Sequence, residues 1–506
     1  MCNKPAIMKT MNTTFSAFFI TSLILLSACS PGPKTALQVG QPEGWDDDLA
    51  LTIPEDLNPD PNILEIELEA QIVDMEIIEG HTTPVWTYGG SLPGPLIKAK
   101  VGDTVIIHFK NSLPDPTTIH WHGLRVPNQM DGVPGVTQPP VESGAEFRYE
   151  FTVNDAGTYW YHPHVNSAAQ VGWGMYGPIV VEDPNDPKEF GDDLVLVMSD
   201  MSLNVGDGSF LAENAGGDFT NLFGKEGTVV LVNGKIRPTL KVRQGKQQRW
   251  RVINASRSRY IPVRLRDHSF TILGGDNGLA ERSREAERVV VTPSERADLV
   301  FTPMHEPGTT QTFRWIPYDR GFGTVYRRAS VPMMDIVTVM EDAVIPEQIP
   351  QQLRTIEPID LSAAIETDLE MTIGQDDSNN IEMGFNGIPY WSMKPLEARV
   401  GETHIWNLIN NSDFNHPFHL HGYFFQVLDE NRVPEWKDTV DVPVGETVRI
   451  AVNFEGRPGM WMYHCHILDH AEAGMMGQLW VGPANSDEPA PEQDLSVLID
   501  VMVKEE

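Results

Sequence analysis

Ten of the fifteen histidines in the chain fall into four tight clusters. They are His120 with His122, His162 with His164, the group His416, His419 and His421, and the group His464, His466 and His470, which encloses Cys465 and is followed by Met475. A neutral imidazole offers a nitrogen lone pair, so histidines gathered in this way read as metal ligands. On a β-strand, residues i and i+2 face the same side, about 6.6 Å apart along the strand. Each His-x-His pair therefore presents two imidazoles side by side, too far apart to chelate one ion easily and suited to two neighbouring ions. Four such pairs supply eight imidazoles, enough for three metals. A second site is specified by Cys465, His416, His470 and Met475. One thiolate, two imidazoles and a weak thioether are the ligand set of a blue copper site. Zinc competes for Cys and His, but it has no redox use and would not need a cysteine flanked by histidines that serve another cluster. In His464-Cys465-His466 the strand alternation sends the histidines to one face and Cys465 to the other. One backbone segment then joins the two sites, which is a short path for electrons.

The elements that must position these ligands repeat along the chain. Residues 101–112 read VGDTVIIHFKNS, residues 400–412 read VGETHIWNLINNS, and a fainter copy, QGKQQRWRVINAS, occupies 244–256. Each reads as a turn followed by an alternating strand. The first copy leads into His120-Trp121-His122-Gly123 and the last into His419-Leu420-His421-Gly422. The middle copy leads into Tyr260-Ile261-Pro262, with no histidine pair. A second match joins GTYWYHPHV (157–165) to GMWMYHCHI (459–467), each followed by a Gly-Met turn at 174–177 or 474–477. Three β-rich units are therefore expected, at about 60–185, 186–345 and 346–485. The first and third carry ligands and the middle one carries none. Proline-rich or charged stretches at 182–193 and 344–358 mark the linkers, and residues 486–506 read as an acidic tail. The 42 glycines and 39 prolines suit many short strands joined by turns. Helical periodicity is weak, and each unit reads as an antiparallel Greek-key sandwich or barrel.

The order HWHG, HPH, HPFHLHG, HCHILDHAEAGM resembles the four copper signatures of three-domain multicopper oxidases such as laccases, bilirubin oxidases and bacterial copper oxidases. The resemblance covers nearly the whole chain after its leader. It implies an all-β fold of three tandem cupredoxin-like Greek-key β-barrel domains and four copper ions. It assigns type 1 copper to His416, Cys465, His470 and Met475, with Met476 as the neighbouring alternative. Type 2 copper takes His120 and His419. The type 3 pair takes His122, His162, His164, His421, His464 and His466. The implied activity is one-electron oxidation of phenols or aromatic amines at type 1 copper, coupled to reduction of dioxygen to water. Reducing dioxygen consumes protons, so acids are expected nearby. Asp131 sits where similar oxidases carry an acid near type 2 copper, and Glu472 resembles the acid of the laccase motif. The chain departs from some bacterial members at Ala471, where they place an acid directly after the type 1 histidine. Asp131 in Asp-Gly is equally a turn signal.

The reductant is the least legible part. His416 is expected nearest solvent, because it follows the loop Asn411-Ser412-Asp413-Phe414-Asn415, and Asp413 offers a carboxylate to a phenol or amine. Copper-specialised relatives carry a Met-rich insertion, whereas residues 341–382 contain only Met371. Competing readings are a cuprous or ferrous metallo-oxidase in copper detoxification and a copper-binding protein without turnover. A third, copper nitrite reductase, usually has two domains and lacks eight cluster histidines.

The N-terminus reads as a leader: Lys4 and Lys9, an apolar run from Phe15 to Leu26, then Leu26-Ser27-Ala28-Cys29. That ending resembles a bacterial lipobox, in which Cys29 becomes the lipidated first residue. Residues 1–28 would then be a signal peptide and 29–59 a polar tether. This implies an exported, periplasmic or cell-surface lipoprotein held to the membrane only by its lipid. Cys2 leaves with the leader, so Cys465 is the single thiol of the folded body. The net charge of -34 argues against nucleic acid and anionic lipid as partners. Dioxygen and a small reductant remain.

Overall fold

The chain is described here by a computed structural model covering residues 49–183, 190–213, 215, 218–321, 329–375, 380–486 and 489–491. Cys29, the leader, the first part of the tether and most of the acidic tail lie outside the described residues. From Leu49 onward the segment expected as tether lies against the body. Leu49 is buried, its carbonyl accepts from Asn233 Nδ2 at 2.8 Å, and the Thr52 carbonyl accepts from Leu96 N.

The repeated sequence segments become equivalent strands. Thr104–Asn111 pairs in parallel with Ile63–Ile78 and antiparallel with Glu146–Thr152. Thr403–Asn410 does the same with Ile365–Gln375 and Thr447–Asn453. Gln248–Asn254 repeats the arrangement with Asp192–Met201 and Arg296–Phe301. The turn glycines explain the shared start of the motif. Gly102 and Gly401 both adopt φ +96° with open space around a would-be Cβ, so conformation alone requires glycine there.

Each repeat closes over a second sheet. In the first unit the facing sheet runs Ile97–Lys100, Gly177–Glu182, Gly157–His162, His120–His122. Ile66, Phe109 and Tyr149 from one sheet share a core with Ile97, Tyr161 and Ile179 from the other. The third unit packs two five-stranded sheets around Trp406, Phe418, Tyr463 and Cys465. The middle unit packs a six-stranded sheet on a three-stranded one around Trp250, Leu299, Phe313 and Met333.

The expectation of closed β-barrels is not met. The fold is all-β, largely antiparallel and cupredoxin-like, but its sheets are open, with end strands that do not pair with one another. Period-two burial places alternate residues inside a sandwich and a barrel alike, so the sequence pattern did not separate them. In the first unit the edge strand His120–His122 is only three residues long. Gly123 turns the chain away at φ +86°, where a Cβ would strike Arg296 and Asp438. The ladder therefore stops where the histidine pair ends.

Candidate metal centre

The four histidine pairs converge on one buried place between the first and third units. Strand His120–His122 lies beside Gly157–His162, with His120 opposite His162. Strand His416–Leu420 lies beside Gly459–Cys465, with His419 opposite His464. Within pairs the ring centroids are 5.8 Å apart for His120–His122, 6.1 Å for His162–His164, 4.9 Å for His419–His421 and 5.2 Å for His464–His466. This is the side-by-side placement expected from the spacing. Across the interface the pairs stack crosswise: His120 on His421 at 3.9 Å and His122 on His419 at 3.8 Å.

The ring nitrogens reveal how each imidazole is held. His120 Nδ1 donates to the Asp131 carbonyl at 2.8 Å, His419 Nδ1 to the Asp438 carbonyl at 2.9 Å, His162 Nδ1 to Pro163 O and His464 Nδ1 to Cys465 O. The opposite nitrogens of His120, His162 and His419 have no hydrogen-bond partner, nor does Nδ1 of His122 or either nitrogen of His164 and His466. His421 Nε2 and His464 Nε2 face each other at 3.1 Å. Burial holds His122, His162, His164, His419, His421 and His466 well below the ordinary histidine range, and His464 down to about 4. Burial therefore favours the neutral form of these seven rings. Buried nitrogens without partners are costly. Metal ions among them remove that cost, so the residues fit a multi-metal cluster. The triads His120/His122/His162, His120/His419/His421 and His164/His421/His464 each bring their ligand atoms within 4.8 Å of one another.

Two aspartates tie the halves together. Asp131 accepts His120 through its carbonyl and His421 Nδ1 through Oδ2 at 2.8 Å. Asp438 accepts His419 through its carbonyl and His122 Nε2 through Oδ1 at 3.1 Å. Each acid thus grips one histidine from each unit. Because His122 is neutral, this last contact is an N–H donated to a carboxylate rather than an ion pair. Asp438 was not singled out from sequence. It stands seventeen residues past His421, whereas Asp131 stands nine past His122, so no repeated motif marks it. Arg296, from the middle unit, reaches Asp438 Oδ1 at 2.9 Å and the Thr158 carbonyl at 3.0 Å. The unit without ligands therefore still braces the cluster.

The second site forms where Cys465 points away from His464 and His466. Cys465 Sγ lies 3.5 Å from His416 Nδ1 and 3.7 Å from His470 Nδ1, and the two nitrogens are 3.1 Å apart. A point near the middle of that triangle is about 2 Å from each corner, close to metal–ligand bond lengths. Burial pushes the Cys465 thiol up and His470 down to about 3. A metal that displaces the thiol proton relieves this mismatch. Met475 is buried in the same core as Cys465, whereas Met476 packs with Tyr390, Met462 and Val133. Strand Gly459–Cys465 ends where helix Leu468–Glu472 begins, and this short reversal brings His470 back beside Cys465.

Other expected residues are placed as follows. Glu472 accepts from Ala168 N at 2.8 Å, and burial pushes its carboxyl up to about 7. Asp413 is exposed. His416, expected nearest solvent, is fully buried. Ser412 Oγ, 2.8 Å from His416 Nε2, ties the loop to its ring. His81, His108, His268, His305 and His404 take no part in the metal-competent groups.

Three multicopper oxidase family models match residues 69–186, 201–313 and 360–485. Multicopper oxidase MmcO of Mycobacterium tuberculosis is 28% identical over 501 residues, covering 91% of this chain and 94% of that protein. A multicopper oxidase structure from Pseudomonas thermotolerans is 32% identical with a TM-score of 0.71, covering 83% of this chain and 99% of its own. A multicopper oxidase from Campylobacter jejuni, described as a metallo-oxidase, is 28% identical with a TM-score of 0.77, covering 86% and 94%. With a cage of eight histidines, a separate Cys/His/His centre and these likenesses, the chain belongs to the multicopper oxidases, copper-dependent oxidoreductases, in a three-domain form of the laccase-like superfamily.

Proposed function

We propose that the chain holds four coppers and oxidises phenols or aromatic amines one electron at a time, passing the electrons to dioxygen. The observation that carries this reading is the His464-Cys465-His466 segment, whose histidines belong to the cage and whose cysteine belongs to the other centre. On this reading type 1 copper is held by His416, Cys465, His470 and Met475. Type 2 copper is held by His120 and His419, and the type 3 pair by His122, His162, His164, His421, His464 and His466. Bound copper supplies one-electron redox chemistry at the first site and binding and reduction of dioxygen at the cage.

The protein's own groups do the rest. Asp131 and Asp438 fix the tautomers of His120, His122, His419 and His421, so each turns a lone pair inward. Glu472, whose carboxyl is pushed up to about 7 by burial, is suited to supply protons. At the other end Ser412 links the exposed loop to His416, and Asp413 beside it can accept a phenol O–H or an amine N–H. The leader with Cys29 supports an exported, lipid-anchored form loaded with copper after crossing the membrane. Oxygen uptake with a panel of phenols, aromatic amines, cuprous and ferrous ions tests the function. A dimethoxyphenol is expected to show the higher specificity constant. A clear preference for a metal ion, with phenols oxidised only when copper is added, overturns the phenol reading in favour of metal detoxification.

A further inference from the structure

A cavity of about 220 Å³ opens where the middle unit meets the third; neither Ser412 nor Asp413 is in its lining. Its wall includes Arg284, Glu295, Tyr318, Arg432, Lys437 and Asp441. Two features of that wall lead inward to the Cys465 centre. Tyr318 stacks on Tyr260, ring centroids 5.6 Å apart and planes within 9°. Tyr260 is buried in the same core as Cys465 and Met475. Its hydroxyl donates to Asp441 Oδ1 at 2.8 Å. Asn415 Nδ2 donates to Asp441 Oδ2 at 2.8 Å, and Asn415 is the residue before His416. The half-exposed ring on the cavity wall is thus one contact from a residue of the core that holds Cys465, and the half-exposed carboxylate is one contact from the residue before His416.

The rest of the wall selects charge. Lys437 is already engaged by Asp276 and Glu295, at 3.0 and 3.1 Å. Arg284 has only a loose pair, 3.7 Å to Glu435, and its Nη1 has no hydrogen-bond partner among the described residues. Arg432 is 3.7 Å from Asp429. Arginines with spare donors in a chain of net charge -34 are notable, because a planar guanidinium binds a carboxylate bidentately.

We propose that this cavity is a second reductant site, docking phenols that carry a carboxylate and delivering their electrons to the Cys465 centre through Tyr318, Tyr260 and Asp441. It rests on the reading of the chain as an oxidase of phenols and adds where one class of them binds. The ligand's carboxylate meets Arg284 and Arg432, and its hydroxyl meets Asp441. Each carboxylate oxygen of Asp441 accepts one bond and keeps a further lone pair. In the reacting complex the phenol O–H breaks, its proton goes to Asp441, and one electron goes to the oxidised copper of the Cys465 centre. The phenoxyl radical leaves, and dioxygen is the final acceptor.

The test compares syringate with dimethoxyphenol, the same ring without the carboxylate, and adds trimethoxybenzoate, which binds like syringate but has no hydroxyl to oxidise. Calorimetry on copper-loaded protein is expected to show trimethoxybenzoate binding, weakened about tenfold in Arg284→Gln. The specificity constant for syringate falls by a similar factor in that variant, while dimethoxyphenol is unaffected. Tyr318→Leu lowers kcat for syringate and leaves KM and the blue absorption unchanged. Absence of trimethoxybenzoate binding, or equal binding in Arg284→Gln, overturns the site. Binding that responds to Arg284 with syringate turnover indifferent to Tyr318 overturns the electron route. Failure to oxidise any phenol sinks the oxidase reading instead, and is told apart because dimethoxyphenol fails as well.

Discussion

The first and third units carry the same scaffold, yet only one of them builds the Cys465 centre. Around that centre the correspondence is residue by residue. Thr117 stands where the third unit has His416, Pro163 where it has Cys465, Gln170 where it has His470, and Met175 where it has Met475. The backbone is shared: Met175 N donates to Gln170 O at 3.1 Å and Met475 N to His470 O at 2.9 Å. Asn111 bonds the Val141 carbonyl as Asn410 bonds that of Val442. In place of two imidazoles 3.1 Å apart, the first unit has Thr117 Oγ1 donating to Gln170 Oε1 at 2.8 Å. One fold thus satisfies the same buried position either with a metal or with a hydrogen bond between neutral side chains. The scaffold places the site and both units keep the methionine, so three side chains, those at Thr117/His416, Pro163/Cys465 and Gln170/His470, decide whether it can hold a metal.

The sharpest break of that comparison is at the position where Pro163 and Cys465 correspond. Cys465→Ser is expected to remove the blue absorption and essentially all oxidase activity, while metal analysis still finds the copper of the cage. A blue Cys465→Ser variant would refute the ligand assignment. Next in size are the two gripping acids. Removing a partner of a ligating histidine typically costs about 10–100-fold in metal affinity or activity. Asp438→Asn is expected to fall in that range by copper competition with a chelator. Asp131→Asn should slow dioxygen reduction and leave anaerobic reduction of the blue centre nearly intact. Equal slowing of both half-reactions would make Asp131 purely structural.

A smaller effect separates the two methionines. Met475→Leu is expected to raise the type 1 reduction potential, because a thioether stabilises the oxidised metal. Met476→Leu, in a different core, should leave it unchanged, and the reverse result reassigns the axial position. The smallest effect belongs to the metal-free counterpart. Thr117→Val leaves a buried Gln170 oxygen without its donor, which costs about 1–3 kcal/mol. Denaturant melts should register that loss, with no change in the blue band.

The clustering of the histidines with Cys465 was legible because metal chemistry demands rare residue types at strand spacing, and because His120-Trp121-His122 and His419-Leu420-His421 repeat within one chain. The three-fold strand pattern was legible for the same reason, in VGDTVIIHF, QGKQQRWRV and VGETHIWNL. What the repeats did not convey was how the sheets end, since period-two burial is common to barrels and sandwiches. Asp438 and Arg296 were missed because their roles depend on units meeting in space. Asp438 has no counterpart at the same offset in the first unit, and Arg296 comes from the unit that carries no ligand. The depth of His416 was misjudged because a loop before a ligand looks exposed in sequence, whereas the ring is buried and Ser412 ties the loop to it.

The central claim is that electrons gathered at the Cys465 centre are passed inside one chain to the histidine cage, where dioxygen becomes water. It is tested most directly by reducing copper-loaded protein fully without air and mixing it with a limiting amount of dioxygen, following the blue band and peroxide together. The account predicts rapid return of the blue band, one dioxygen consumed per four electrons, and no hydrogen peroxide. Return of the band with stoichiometric peroxide, or a band that stays bleached while dioxygen is consumed, would contradict it.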